Sequence, residues 1–257
     1  MALELTAPEL TRWTSALMWP FIRISSFLFA SPIFGARSIT RRVRIVLAML
    51  TAWLFLPNIP NPPAVAPFSA AGMLISAQQV LLGVAMGFLL QLAFSAVVIA
   101  GQNIAMTMGL GFASALDPQN GVQVPVVSQF YMILTTLLFL SMDGHVLLIA
   151  AVHESFTLLP IGAPWPENLN WQVVLWGSQM FAGGLLIALP ALAALLLVNL
   201  AFGVMTRSAP QLNIFAVGFP VTLIAGFMLI LFSLSSFEPQ ISALLAAALE
   251  SMKTIFQ

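Results

Sequence analysis

The chain has 257 residues, 60% hydrophobic and 6% charged, with eight basic and eight acidic side chains and zero formal net charge. Soluble globular domains carry about 25% charged residues, so a chain this poor in charge, with a mean hydropathy of +1.03, reads as an integral membrane protein. The balanced charge suggests no nucleic-acid partner, and the lack of cysteine removes disulfides, thiol nucleophiles and thiolate metal sites.

At the start, Glu4 and Glu9 precede the first basic residue, Arg12. That order differs from the basic start of a cleaved signal peptide, so the first segment is expected to remain. A bilayer-spanning helix needs about 20 mostly apolar residues, and residues 10–34 are the first candidate. Arg12 and Arg23 within them suggest a helix that faces protein or an interface, and Pro20 marks a bend. Residues 35–44 hold Arg37, Arg41, Arg42 and Arg44 and read as a cytoplasmic loop by the positive-inside rule. They serve either as a topology anchor or as a patch for a partner.

A short apolar segment, 45–56, leads to Pro57, Pro60, Pro62, Pro63 and Pro67, a stiff extended connector. Residues 69–108 then read as one helix of roughly 60 Å, too long for one upright crossing. Gly83 and Gly87 form a small-xxx-small pair that permits close helix approach.

The next stretch, 102–131, differs from everything around it. Gly101, Gly109, Gly111 and Gly121 with Pro118 and Pro125 supply turn chemistry, and Asp117 is the single charge. A loop exposed to lipid would leave its amides unpaired, so this one must be buried in protein or line a cavity. Residues 105–125 are therefore the first functional candidate, a central re-entrant or plug loop.

Residues 126–142 form another apolar helix, broken by Asp143 and Gly144 and continued over 145–159. His145, His153 and Glu154 are the one ionisable cluster. The histidines are about two turns apart on one helix, whereas a metal would want a closer pair and a third ligand. Capping and packing compete there with a proton or metal role. Pro160, Pro164 and Pro166 with Trp165 and Trp171 resemble an interfacial loop.

Residues 170–205 are the second over-long run, with Gly183, Gly184 and Pro190 as points of bending, and Arg207 ends it. After a polar break, 214–234 form the last full apolar segment, with Pro220 inside. Over 236–257 the pattern changes: Ile241, Leu244, Leu245, Ala248, Leu249, Met252, Ile255 and Phe256 recur at helical spacing, with Glu250 and Lys253 off the stripe. That predicts an amphipathic terminal helix docking on a partner or on the interface. The fold expected is an all-α membrane protein, one membrane domain over 1–257 with about six to eight hydrophobic helices, several over-long or broken.

Two stretches carry a family resemblance. Met108, Gly109, Leu110, Gly111, Phe112 and Ala113, running through Asp117 and Pro118 to Gly121, Gln123, Pro125 and Ser128, resemble the central region of the FliR family. Arg207 followed by Ala209, Pro210, Gln211, Leu212, Asn213, Ile214, Phe215, Ala216, Val217, Gly218, Phe219 and Pro220 is similar to that family's most recognisable motif. Gly144 and His145 through Glu154, Ser155 and Phe156 also fit.

The resemblance implies a non-enzymatic subunit of a bacterial inner-membrane export gate in the flagellar basal body, similar to T-type subunits of virulence secretion systems. It implies FliP-type and FliQ-type neighbours in a closed helical channel, FlhB-type and FlhA-type attachments, unfolded export substrates, and no cofactor or metal. It also implies that the central loop plugs the closed channel and that the assembly sits partly above the bilayer plane, against the positive-inside topology.

On that reading Met106, Met108, Leu110, Phe112 and Leu116 offer soft apolar filling. Gly109, Gly111 and Gly121 with Asp117 and Pro118 let the backbone turn. Near-absence of charge disfavours ions in the closed pore, since apolar constrictions gate by dewetting. Arg207, Pro210, Gln211, Asn213, Phe215, Gly218 and Pro220 are expected to form an assembly surface, with Arg207 pairing a carboxylate or a helix C-terminus, or else a topology anchor.

Two other classes compete. A self-sufficient small-solute permease would use the central loop as a broken-helix site, yet most charges here lie at segment ends. An intramembrane enzyme would use His145, His153, Asp143 or Glu154, but no paired motif has catalytic spacing, and residues 109–114 lack the third glycine of a dinucleotide fingerprint.

Overall fold

The computed structural model describes residues 7–60, 63, 65–110, 125–208 and 214–256, with side chains from Trp13 onward and, in the last helix, from Gly218. Seven α-helices occur among the described residues: α1 (Ala7–Ala30), α2 (Arg41–Phe55), α3 (Ala70–Thr107), α4 (Val126–Ser141), α5 (Gly144–Leu158), α6 (Leu169–Ser208) and α7 (Ile214–Thr254). No strand occurs among them. Three helices are long and apolar enough to cross a membrane: α3, α6 and the Gly218–Thr254 part of α7; α4 and α5 together would make a fourth, broken span. The 24-residue α1, expected to be the first span, is not one of these.

The chain divides into two compact units. The first comprises 1–92, 143–176 and 246–257, the second 93–142 and 177–245, so α3, α6 and α7 each contribute to both. In the first unit α1 lies against α3 at close range. A Cβ on Gly83 would collide with the Arg23 carbonyl oxygen, and one on Gly87 would fall 2.6 Å from the Ala30 Cβ. The small-xxx-small pair is therefore the seat of α1, where any side chain would force the helices apart.

Arg23 crosses that contact without any exposure. Its Nε donates to Gln79 Oε1 on α3 at 2.8 Å, its Nη1 to the Ser155 carbonyl at 2.8 Å, and its Nη2 to the Leu159 carbonyl at 3.0 Å. The guanidinium also covers the Phe156 ring, 4.4 Å from its centroid. The guanidinium thus reaches the carbonyl end of α5, adding a donor to the Ser155 carbonyl, which also accepts from the Leu159 amide, and supplying one to the Leu159 carbonyl just past the helix.

Two expectations change. The basic loop predicted over 35–44 ends at Thr40, because Arg41 opens α2. Within α2, Arg44 turns back and donates through Nη2 to the carbonyls of Gly35, Ala36 and Ile39, so it satisfies the preceding turn instead of standing free. The separate terminal helix predicted over 236–257 is not an element of its own, since α7 runs unbroken from Ile214 to Thr254 and carries Pro220 and Pro239 inside it. The reason lies in register. Ile230, Phe237, Ile241, Leu245, Ala248 and Met252 are all buried and follow one another at helical spacing, so no pattern break ends the helix.

At the end of α7, Trp176 donates through Nε1 to Ser251 Oγ at 2.6 Å, and Lys253 pairs with Glu154 at 2.9 Å. The stripe expected to dock on a partner or on the interface is thus buried within this chain at Ala248, Met252, Ile255 and Phe256.

Candidate functional site at the roots of the central segment

Residues 111–124 lie outside the described residues, and with them Gly111, Phe112, Leu116, Asp117, Pro118 and Gly121. Both roots of the segment are described, and both belong to the second unit.

The first root is the end of α3. The amide of Leu110 donates to the Ala105 carbonyl at 3.0 Å and that of Gly109 to the Met106 carbonyl at 3.0 Å. Gly109 itself has φ of +86°. This pair of bonds around a left-handed glycine is the Schellman motif, which turns the chain sharply off the helix axis. The remaining last-turn carbonyls are met from neighbouring helices. Asn199 Nδ2 on α6 donates to the Thr107 carbonyl at 3.4 Å, and Thr222 Oγ1 on α7 lies 3.5 Å from the Met108 carbonyl.

Met108 is fully buried and packs where α7 has no side chain: a Cβ on Gly226 would fall 2.5 Å from the Met108 Cε. Phe219 lies over Gly109, within 3.2 Å of where a Cβ would sit. Met106, by contrast, is 60% exposed, and Leu110 is half-buried. Of the three described apolar side chains among the five expected in a seal, one anchors the root, one is exposed, and one lies between.

The second root is the start of α4. Pro125 precedes the helix and accepts from the Gln129 amide at 3.1 Å. One turn on, Ser128 crosses Gly101 of α3 so closely that a Cβ there would fall 2.5 Å from the Ser128 Cα. Ser128 Oγ donates to the Val98 carbonyl at 3.0 Å. Below this crossing Tyr131 stacks on Phe237 at 4.7 Å between centroids, and Phe94 meets Phe139 edge-on at 6.1 Å. The described residues flanking 111–124 are therefore both held at α3, which continues about 9 Å past the Gly101 crossing to Thr107 at 1.5 Å per residue.

The assembly residues are only partly placed. Arg207 is exposed in the last turn of α6, where its charge suits the carbonyl end of the helix. No carboxylate pairs with it among the described residues. Gly218 is buried and Pro220 exposed, whereas Pro210, Gln211, Asn213 and the Phe215 side chain lie outside the described residues. His145 and His153 are half-buried, and His153 packs edge-on against Phe55 at 4.7 Å. Among the described residues no three His, Asp or Glu side chains converge as metal ligands do.

Sequence reasoning passed over Asn199, Thr222 and Gly226. The signal was present for Asn199, a carboxamide alone in an apolar run, since polar groups in such helices are costly unless partnered.

A family model described as "Bacterial export proteins, family 1" matches residues 14–248. The "Flagellar biosynthetic protein FliR" of Pectobacterium carotovorum subsp. carotovorum is 42% identical over 222 residues, covering 86% of this chain and 84% of the relative. The protein of the same name in Escherichia coli K12 is 39% identical, covering 88% and 87%. That of Bacillus subtilis 168 is 30% identical over 244 residues, covering 93% and 94%.

Proposed function

We propose, for a chain that belongs to the bacterial export proteins of family 1 and within them to the FliR family, that it helps form and seal the channel of the export gate. The chain is a membrane-embedded subunit of the flagellar export apparatus, and the permease alternative has no support among its relatives. The finer reading places it in the inner membrane, without catalytic activity, beside FliP-type and FliQ-type subunits. FlhB-type and FlhA-type proteins attach there, and unfolded chains pass through.

The observation that carries the seal is the contrast between segment and roots. The 14 residues 111–124 carry one charge, Asp117, and lie in sequence between a helix end stopped by a Schellman turn and Ser128, which packs on the same helix at Gly101. An apolar constriction excludes ions without any charge. Deleting residues 109–121, or replacing Phe112 by aspartate, is expected to raise the ion conductance of membranes holding the complete gate while complex yield stays at the parent level. An intact complex that conducts no more than the parent rules out the seal.

The assembly surface rests on Arg207 together with Pro210, Gln211, Asn213, Phe215, Gly218 and Pro220. An exposed cation at a helix end is available to a neighbouring subunit. Arg207→Ala should leave this chain's own fold unchanged and lower the yield of the multi-subunit complex severalfold. Normal yield and normal secretion in that variant remove Arg207 from the contact.

A further inference from the structure

A groove of about 1160 Å³ opens in the first unit between α1, α2 and the proline connector, lined by Trp13, Phe21, Met49, Trp53, Pro67 and Phe68 among others. Trp13, Trp53 and Phe68 are 70%, 68% and 89% exposed, far more than aromatic rings of this size tolerate facing water. Within α2 the groove belongs to a longer feature. Arg42, Val46, Met49 and Trp53 follow at i, i+4, i+7 and i+11, so they share one exposed face of the helix. From Arg42 to Trp53 that face is about 16 Å long at 1.5 Å per residue, close to the depth of one leaflet, which is half of a hydrocarbon core about 30 Å thick.

The charged end of the face lacks a counter-charge. Arg41 and Arg42 are exposed and have no ion pair among the described residues, and no acidic residue occurs between positions 10 and 116. Arg44 differs, being occupied by the carbonyls of the preceding turn. An apolar helix from another subunit would cover the groove but leave two cations bare. A molecule with an anionic head and apolar tails about one leaflet long would satisfy both ends. We propose that this face is a binding site for an anionic phospholipid, its phosphate at Arg41 and Arg42 and its acyl chains along Val46 and Met49 into the groove at Trp13 and Trp53. The proposal rests on the chain being membrane-embedded and is independent of the seal.

The test uses the full chain, and separately the purified export complex, in vesicles of phosphatidylcholine with graded fractions of phosphatidylglycerol, one lipid or the other brominated on its tails. Quenching at the groove is isolated by subtracting the signal of a Trp13→Phe/Trp53→Phe variant, since four other tryptophans remain. At about 1 kcal/mol per basic residue near a membrane surface, two arginines should give about a thirtyfold preference for phosphatidylglycerol. In Arg41→Gln/Arg42→Gln, which alters only exposed side chains, the two lipids should quench equally.

Equal quenching in the parent overturns the proposal, as does a preference that survives the double substitution. Loss of quenching by either lipid in the complex, with quenching retained in the isolated chain, also overturns it and assigns the groove to a partner helix. Conductance of the same vesicles reports on the seal, so the two readings fail separately.

Discussion

Arg23→Ala is expected to cost about 3–5 kcal/mol and to abolish recovery of the folded chain at ordinary temperatures. Gln79 Oε1 and the Leu159 carbonyl would be left buried without a donor, at about 1–3 kcal/mol each, and the cation over the Phe156 ring would be lost as well. Relief of the buried charge offsets part of this, because no carboxylate neutralises it among the described residues. Arg23→Lys should rescue little. One ammonium cannot hold Gln79, Ser155 and Leu159 together, whereas a guanidinium fork reaches all three. Thermal unfolding and size-exclusion recovery in mild detergent measure both. A lysine variant as stable as the parent would show that charge alone suffices at this position.

Gly101→Val should be as damaging, and in the other unit. The nearest atoms to the added Cβ are the Ser128 Cα at 2.5 Å and the Ser128 backbone nitrogen at 2.8 Å, neither of which can rotate away. α3 and α4 would have to separate, at about 1–3 kcal/mol or more for overpacking, with the bond from Ser128 Oγ to Val98 lost in addition. Gly203 is the control, having nothing within 4 Å of its added Cβ. Gly203→Ala should be neutral or slightly stabilising, since alanine is the better helix former. Complex yield and thermal stability, compared across the pair, decide the matter. Equal behaviour of the two variants would mean that the α3–α4 crossing does not fix the second root.

Helix-level features were largely legible because composition and period carry them. The 69–108 run, the break at Asp143 and the Gly83 and Gly87 pair follow from apolar length, turn chemistry and small-residue spacing, and α3, the left-handed Asp143 and the α1 seat correspond to them. What escaped was long-range. Nothing local in Arg23 reveals that its acceptors lie 56, 132 and 136 residues away. The terminal helix reads as separate because the apolar pattern narrows to a stripe over 236–257, although buried positions continue at helical spacing across that change and a helix proline such as Pro239 need only give up one bond when burial holds the rest. At the candidate site Gly109 was legible as a turn residue. Its pairing with Phe219, and that of Met108 with Gly226, requires knowing which helix passes there.

In the most apolar stretches of α6 and α7 only 22% and 17% of residues are buried, against 61% in α3. Leu196, Leu197, Leu200, Ile224, Leu231 and Phe232 are each more than 60% exposed. A copy made in excess of its neighbours must keep these faces in lipid or expose them to whatever else is apolar. Association with other subunits then protects the folded state by mass action, in proportion to how much of the neighbour is free. Synthesis of this subunit alone should therefore yield a short-lived, protease-sensitive product, which pulse-chase labelling with and without the rest of the export apparatus would measure.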